Sequence, residues 1–268
     1  MTDPTDSASK SGAEARSRFS LDGRTALITG SSRGIGLAIA NALGSAGAAV
    51  VLNGRTSGPL EAVVEQLRDV GIVAHCRVAD VTDVHSVESM VDSIEADIGP
   101  LDVLVNNAGA QHRAPFLEFP LDEFTHLLEL NLVAPFVVAQ AVARQMVKRG
   151  SGKIINICSV MSELARPGIT PYTATKGGLK LLTRGLCADL GPLGIQVNAI
   201  APGYFATELN EALLADAEFT AWVARRTPAG RWGDVEELGG AAVFFASEAS
   251  SYVNGQILYV DGGMTAVV

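Results

Sequence analysis

From residue 24 onward, short runs of β-branched and other apolar residues alternate with longer stretches whose apolar positions recur at helical spacing. The runs at 26–29, 49–53, 72–78, 103–105, 154–157, 195–200 and 256–260 read as strands. Between them, helices are expected over 37–46, 59–70, 84–97, 122–149, 172–190 and 235–246, with an irregular helical insertion at about 207–225. Strand and helix in strict alternation predict an α/β fold. Right-handed crossovers then give one Rossmann-type, doubly wound, seven-stranded parallel sheet with helices on both faces. No linker or internal repeat interrupts residues 19–268, so they are expected to form a single nucleotide-binding domain. Residues 1–18 are polar and are expected to be a disordered N-terminal tail.

Composition narrows the picture. Hydrophobic residues make up 48% of the 268, enough for a sizeable core. The formal net charge is -9 and no Lys/Arg cluster is visible, which makes nucleic acid and anionic membranes poor partners. No apolar run reads as a membrane span or secretory segment. Cys76, Cys158 and Cys187 have no paired spacing, which fits a reducing, cytoplasmic setting. His75, His85, His112 and His126 lack ligand spacing, so no metal is expected.

The stretch 154–180 carries the chemistry. Its apolar strand delivers Ser159 at the carboxyl end, where open α/β sheets place their ligands. After a loop broken by Pro167, Gly168 and Pro171, Tyr172 and Lys176 stand four residues apart on one helix face. A free phenol, with a pKa of about 10, is a poor base near neutrality, and a nearby ammonium is expected to lower it. Ser159 then holds the reacting oxygen while Tyr172 takes or gives its proton. Taken alone, Tyr-x-x-x-Lys is equally a helix start with a surface lysine.

A glycine-rich turn, Gly30, Ser32, Arg33, Gly34, Ile35 and Gly36, follows the first strand and opens a helix, the context a phosphate-binding loop requires. At the end of the second strand stand Asn53 and Arg55, where an acidic residue would favour NAD. Arg33 and Arg55 offer two guanidinium groups to a 2′-phosphate, so NADP is the expected cofactor. Either arginine is otherwise a solvated surface charge.

With the glycine turn, Asn106-Asn107-Ala108-Gly109, Asn131, Ser159, Tyr172-x-x-x-Lys176, Pro202-Gly203 and Thr207 in this order, the chain resembles the short-chain dehydrogenase/reductase family over about residues 19–268. The resemblance implies nicotinamide-dependent alcohol–ketone chemistry and a homotetramer. It implies a catalytic set of Asn131, Ser159, Tyr172 and Lys176, with Asn131 bending its helix and holding a water that links Lys176 to solvent. It places Asp80 and Val81 near the adenine and Asn107, Ala108 and Gly109 on the adenosine side. Pro202, Gly203, Phe205 and Thr207 fall at the nicotinamide carboxamide, with Tyr172 and Lys176 also touching the cofactor. Asn107 alternatively serves to tie strands together.

The segments 103–120, 155–177, 201–210 and 226–233 resemble, more narrowly, a sugar-acid subgroup, the gluconate 5-dehydrogenases. They differ from it at His112, where that subgroup often has an arginine. The substrate implied is a sugar acid or its keto form. Physical reasoning adds Arg113 as the cation facing an anionic substrate, Arg166 as a second candidate, and Ser162 with Glu163 for sugar hydroxyls. Loop positions in water or at a subunit contact remain the alternative. A reductase of a 3-oxoacyl thioester, or of another sugar or steroid ketone, is the competing substrate reading.

Overall fold

The computed structural model describes residues 17–268. The expected tail lies outside the described residues except for its last two positions. The strands are β1 (Thr25–Ile28), β2 (Ala49–Gly54), β3 (Ala74–Val78), β4 (Leu101–Asn106), β5 (Gly152–Ile157), β6 (Ile195–Pro202) and β7 (Ile257–Val260). They form one sheet in the order β3-β2-β1-β4-β5-β6-β7. Every pairing is parallel, for example Ile28 opposite Leu52 on one side and Val105 on the other. The order reverses at β1, which lies between β2 and β4. Chain connections leave to opposite sides there, and a crevice opens at the carboxyl ends of the strands.

The central strands are buried on both faces because helices cover both. Ala26 and Ile28 of β1 point into one apolar cluster and Leu27 into the other, as the two-residue strand period requires. Helix α1 (Gly34–Ser45) packs through Ile39 and Leu43, and α2 (Ser57–Asp69) through Leu60 and Val64. On the opposite face, α3 (Val84–Asp97) buries Val87, Val91 and Ile94. Each fully buried aliphatic side chain of this kind is worth about 1.5–3 kcal/mol of transfer free energy.

The expected helix over 122–149 is not continuous. It is divided into α4 (Leu121–Leu128), one π turn (Glu129–Val133) and α5 (Ala134–Arg149), with the widened turn centred on buried Asn131. A π turn frees backbone groups from the regular ladder, and Asn131 sits where they are released. The reading that no segment is long and apolar enough to span a membrane also needs correcting. By length and composition Leu121–Arg149 passes that test, yet half of its most apolar window is buried inside the protein. Val138, Val142 and Met146 of α5 pack there against the sheet, as a core helix does.

Helix α6 (Thr170–Leu190) follows β5 and carries Tyr172 and Lys176. After β6 the irregular insertion resolves into a 3-10 turn (Glu208–Asn210), a short helix α7 (Glu211–Leu214) and α8 (Ala217–Arg226), the last capped by Asp216 on Glu218 and Phe219. Helix α9 (Gly239–Ala246) completes the set and packs against α1.

Candidate active site

A cleft of about 1080 Å³ runs along the carboxyl ends of the strands. The glycine turn forms one end of it. Gly30 has φ +61° and a Cβ there would stand 2.8 Å from the Ala108 backbone, so only glycine permits this approach of the turn to the loop after β4. At Gly34 (φ +57°) an added Cβ would meet open space, and a Cβ at Gly36 would strike Asn107 at 2.5 Å. Helix α1 begins here without a side-chain cap and without an acidic residue in its first turn. Its amide groups and dipole therefore face the cleft, which suits an anionic phosphate.

Three of the residues expected to contact the cofactor have their side chains committed to the fold. Asn53 is buried, and its amide donates to the carbonyls of Arg77 and Ala79, each at 3.2 Å, bracing β2 against β3. The Asn107 amide donates to Thr29 and Gly30 carbonyls at 2.9 Å, which is the strand-tying role. Phe205 is buried, its ring lying where a Cβ on Gly233 would have to go. All three still line the cleft, as do Arg55, Asp80, Val81, Ser32, Ile35, Ala108, Gly109, Pro202, Gly203 and Thr207. Arg33 lines it as well, but its guanidinium is paired with Glu208 at 2.7 Å across the cleft mouth. The Thr207 hydroxyl is buried with no hydrogen-bond partner among the described residues. A polar group left open in this way fits the amide of a nicotinamide. Turn, helix start, basic pair and open hydroxyl together suit a phosphorylated dinucleotide.

Ser159, Tyr172 and Lys176 come together in the same cleft. Ser159 leaves β5 in extended conformation, and its oxygen accepts from the Met161 amide at 3.1 Å. Ser159 also stands close enough to the Tyr172 phenol for its hydroxyl to pull the phenol's pKa down. Lys176 is buried and donates to the Ile157 carbonyl at 2.7 Å, with its nitrogen 5.8 Å from the Tyr172 ring centroid. Burial pushes the phenol up to about 12, against the pull of Ser159 and Arg113. Burial also brings Lys176 down to about 8. The protein's own groups thus hold the phenol above its free value, not below it, because desolvation outweighs the charges beside it.

Asn131 stands behind this group. Its amide donates to the Ala110 carbonyl at 2.9 Å and to Thr175 at 3.3 Å, while its oxygen accepts from the Ala110 amide at 2.9 Å. Thr175 in turn donates to the Tyr172 carbonyl at 2.8 Å. The π turn is therefore tied both to the loop after β4 and to the first turn of α6.

Of the expected substrate residues, Arg113 lines the cleft beside Tyr172, and Ser162 and Glu163 do not line it. The chain makes a 3-10 turn (Val160–Ser162) after Ser159, which carries Ser162 to the side of Cys158 and Glu163 outward to an ion pair with Lys180. Arg166, on the following loop, lines the cleft and stacks on Phe219, 5.3 Å from the ring centroid. Arg113 loses pKa through burial and through the positive charge of Arg166. Sequence reasoning passed over Tyr204, Gln111 and Asn210, which also line the cleft. The signal available for Tyr204 was an aromatic residue directly after the Pro-Gly turn.

The chain belongs to the short-chain dehydrogenase/reductase family. A family model described as enoyl-(acyl carrier protein) reductase, one branch of that family, matches residues 30–265. The chain is 58% identical over 247 residues to a gluconate 5-dehydrogenase of Gluconobacter oxydans (strain 621H), covering 92% of this chain and 96% of that one. It is 54% identical over 250 residues to a 5-keto-D-gluconate 5-reductase of Escherichia coli (strain K12), covering 93% and 98%. Among solved structures, a gluconate 5-dehydrogenase from Burkholderia cenocepacia J2315, in complex with NADP and tartrate, superposes with a TM-score of 0.93 at 56% identity. It covers 95% of this chain and 100% of that one.

Proposed function

We propose that this chain is an NADP-dependent oxidoreductase that interconverts D-gluconate and 5-keto-D-gluconate. The observation that carries the reading is one cleft holding the Ser159–Tyr172–Lys176 group at its reacting end and Arg113 and Arg166 beside it. The relatives named above support the choice of a sugar acid, and the solved neighbour with NADP supports the cofactor.

In this reading the first amides of α1 hold the pyrophosphate, and Arg55 with Arg33 holds the 2′-phosphate. Thr207 meets the carboxamide, and Lys176 meets the ribose. When bound, NADP supplies the hydride acceptor and NADPH the hydride donor. In reduction, Tyr172 gives its phenolic proton to the ketone oxygen as that oxygen becomes an alcohol. In oxidation it takes the proton back. Ser159 donates a hydrogen bond to the same oxygen in both directions. A phenol raised to about 12 keeps its proton at neutral pH, so in this state Tyr172 stands ready as the acid of ketone reduction. Lys176, lowered to about 8, exchanges its proton near neutrality and recharges the phenol. Asn131 holds the water that leads that proton to solvent, and it positions α6 through Thr175.

An acyl thioester has no carboxylate to offer two arginines, which places the sugar acid ahead of it. Exposed apolar side chains at Phe116, Leu117, Leu121 and Leu181 support assembly of the domain as a homotetramer. The decisive assay follows nicotinamide absorbance with gluconate and NADP, and with 5-keto-gluconate and NADPH, against a 3-oxoacyl thioester. Turnover of the thioester with none of the sugar acids would remove the reading.

A further inference from the structure

Tyr204 leaves the Pro202-Gly203 turn at the end of β6 with its ring caged. Phe219, Trp222 and Trp232 each meet it edge-on, at centroid distances of 5.4, 5.9 and 5.4 Å. Such contacts fix the ring's plane and direct its oxygen. That oxygen is buried, and it has no hydrogen-bond partner among the described residues. A buried hydroxyl left in that state is destabilising. A cage that holds it there calls for a ligand group to complete it.

What surrounds the hydroxyl says which group. Tyr204 lines the same cleft as Tyr172 and lies within electrostatic reach of Arg113, Arg166 and Tyr172. Neither Arg113 nor Arg166 has a carboxylate partner among the described residues. Arg113 reaches only neutral amide oxygens, Gln111 at 2.8 Å and Asn210 at 3.5 Å. Two guanidinium groups close enough to depress Arg113 therefore face the cleft with no anion between them. Arg166 shares the aromatic cage, since its guanidinium stacks on the same Phe219 ring that abuts Tyr204. An unpartnered hydroxyl near two cations without carboxylate partners matches an oxyanion, and at this end of the cleft the anion is a carboxylate.

We infer that Tyr204 is a specificity-determining residue: its hydroxyl donates a hydrogen bond to the substrate carboxylate held by Arg113 and Arg166. The inference rests on the sugar-acid reading above and adds a residue to it. Selectivity follows from the cage. A neutral ketose would leave the two cations uncompensated and the hydroxyl with a weaker acceptor, whereas the acid satisfies all three.

Tyr204→Phe tests it, because the ring and its edge contacts stay and only the oxygen goes. Steady-state rates are measured for wild type and variant with 5-keto-gluconate and with a neutral ketohexose carrying CH2OH in place of the carboxylate. The Kd for NADP is measured alongside. The expected result is a fall of about 10-fold or more in kcat/KM for the acid, carried mainly by KM, as for a lost hydrogen bond to a charged group. The ketohexose should change less than about 3-fold and NADP affinity not at all. Equal losses on both substrates would make Tyr204 a packing residue and overturn the inference. Undiminished activity of the variant on the acid would overturn it too, while leaving the sugar-acid reading intact. A wild type that reduces other ketones but not the acid would remove both.

Discussion

The ammonium of Lys176 is held by the Ile157 carbonyl at 2.7 Å and lies 5.8 Å from the centre of the Tyr172 ring. Strand β5 thus supplies both ends of the catalytic group. Its last carbonyl anchors the lysine, and two residues on it presents Ser159 to the phenol. Lys176 is buried and Tyr172 half-buried, and desolvation governs both titrations, in opposite directions.

Those directions set a pH dependence of stability. Lys176 has its folded pKa lowered to about 8, so between about 8 and the ordinary lysine value the unfolded chain binds the proton more tightly. Its contribution to stability therefore rises with pH through that window. Tyr172, raised to about 12, does the reverse above its ordinary value. Lys176→Met should gain stability relative to wild type at pH 7 and lose most of that gain by pH 10. Chemical denaturation of both proteins at the two pH values checks it. A gain that is the same at pH 7 and pH 10 would contradict the buried-ammonium account.

Removal of the phenol oxygen should be decisive for turnover. Tyr172→Phe is expected to lose about 100- to 10,000-fold in kcat in either direction, the range for a positioned proton donor. NADP affinity should stay within a few fold. Stopped-assay rates and a fluorescence titration separate the two effects.

The two arginines at the cofactor end are not equivalent. Arg33 is engaged by Glu208 at 2.7 Å, and a 2′-phosphate must displace or share that carboxylate. Arg55 makes no such pair among the described residues. Arg55→Ala is therefore expected to weaken NADP by about 10- to 100-fold with little effect on NAD, and Arg33→Ala by less. Glu208→Gln should tighten NADP by a few fold. Parallel Kd measurements for both cofactors give the comparison. Equal losses for NADP and NAD would place both arginines outside phosphate recognition.

Glu163 gives a contrasting expectation. Its carboxylate is half exposed and pairs with Lys180 on the outer side of the turn. Glu163→Gln should change KM for the sugar acid by less than about 2-fold and stability by less than about 1 kcal/mol. A large rise in KM would return the residue to the substrate site.

Asn131→Ala removes three hydrogen bonds at the π turn, one of them to Thr175. It is expected to lower the thermal midpoint by several degrees. Turnover should fall with it, because α6 loses the tie that sets the first turn around Tyr172. A thermal scan together with kcat resolves the two. Asn131→Asp, which keeps the oxygen that accepts from Ala110, should recover part of the midpoint.

The alternation of apolar runs and helical stretches determined the parallel sheet, because crossovers of that length between parallel strands admit few other solutions. The residue types at fixed positions did the same for the glycine turn and for the Ser159, Tyr172 and Lys176 set. Each of these needs only a strand end or a helix face to be placed. Tertiary structure decided what depends on distant neighbours. The sequence cannot say that Asn53 faces Arg77 and Ala79 across a strand gap, since that contact is made by pairing β2 with β3. Nor can it say that one 3-10 turn carries Glu163 away from the cleft while the next loop swings Arg166 into it. The pKa of Tyr172 was decided the same way. Spacing shows which charge is near, but burial by the whole fold sets the dielectric, and here burial outweighs charge.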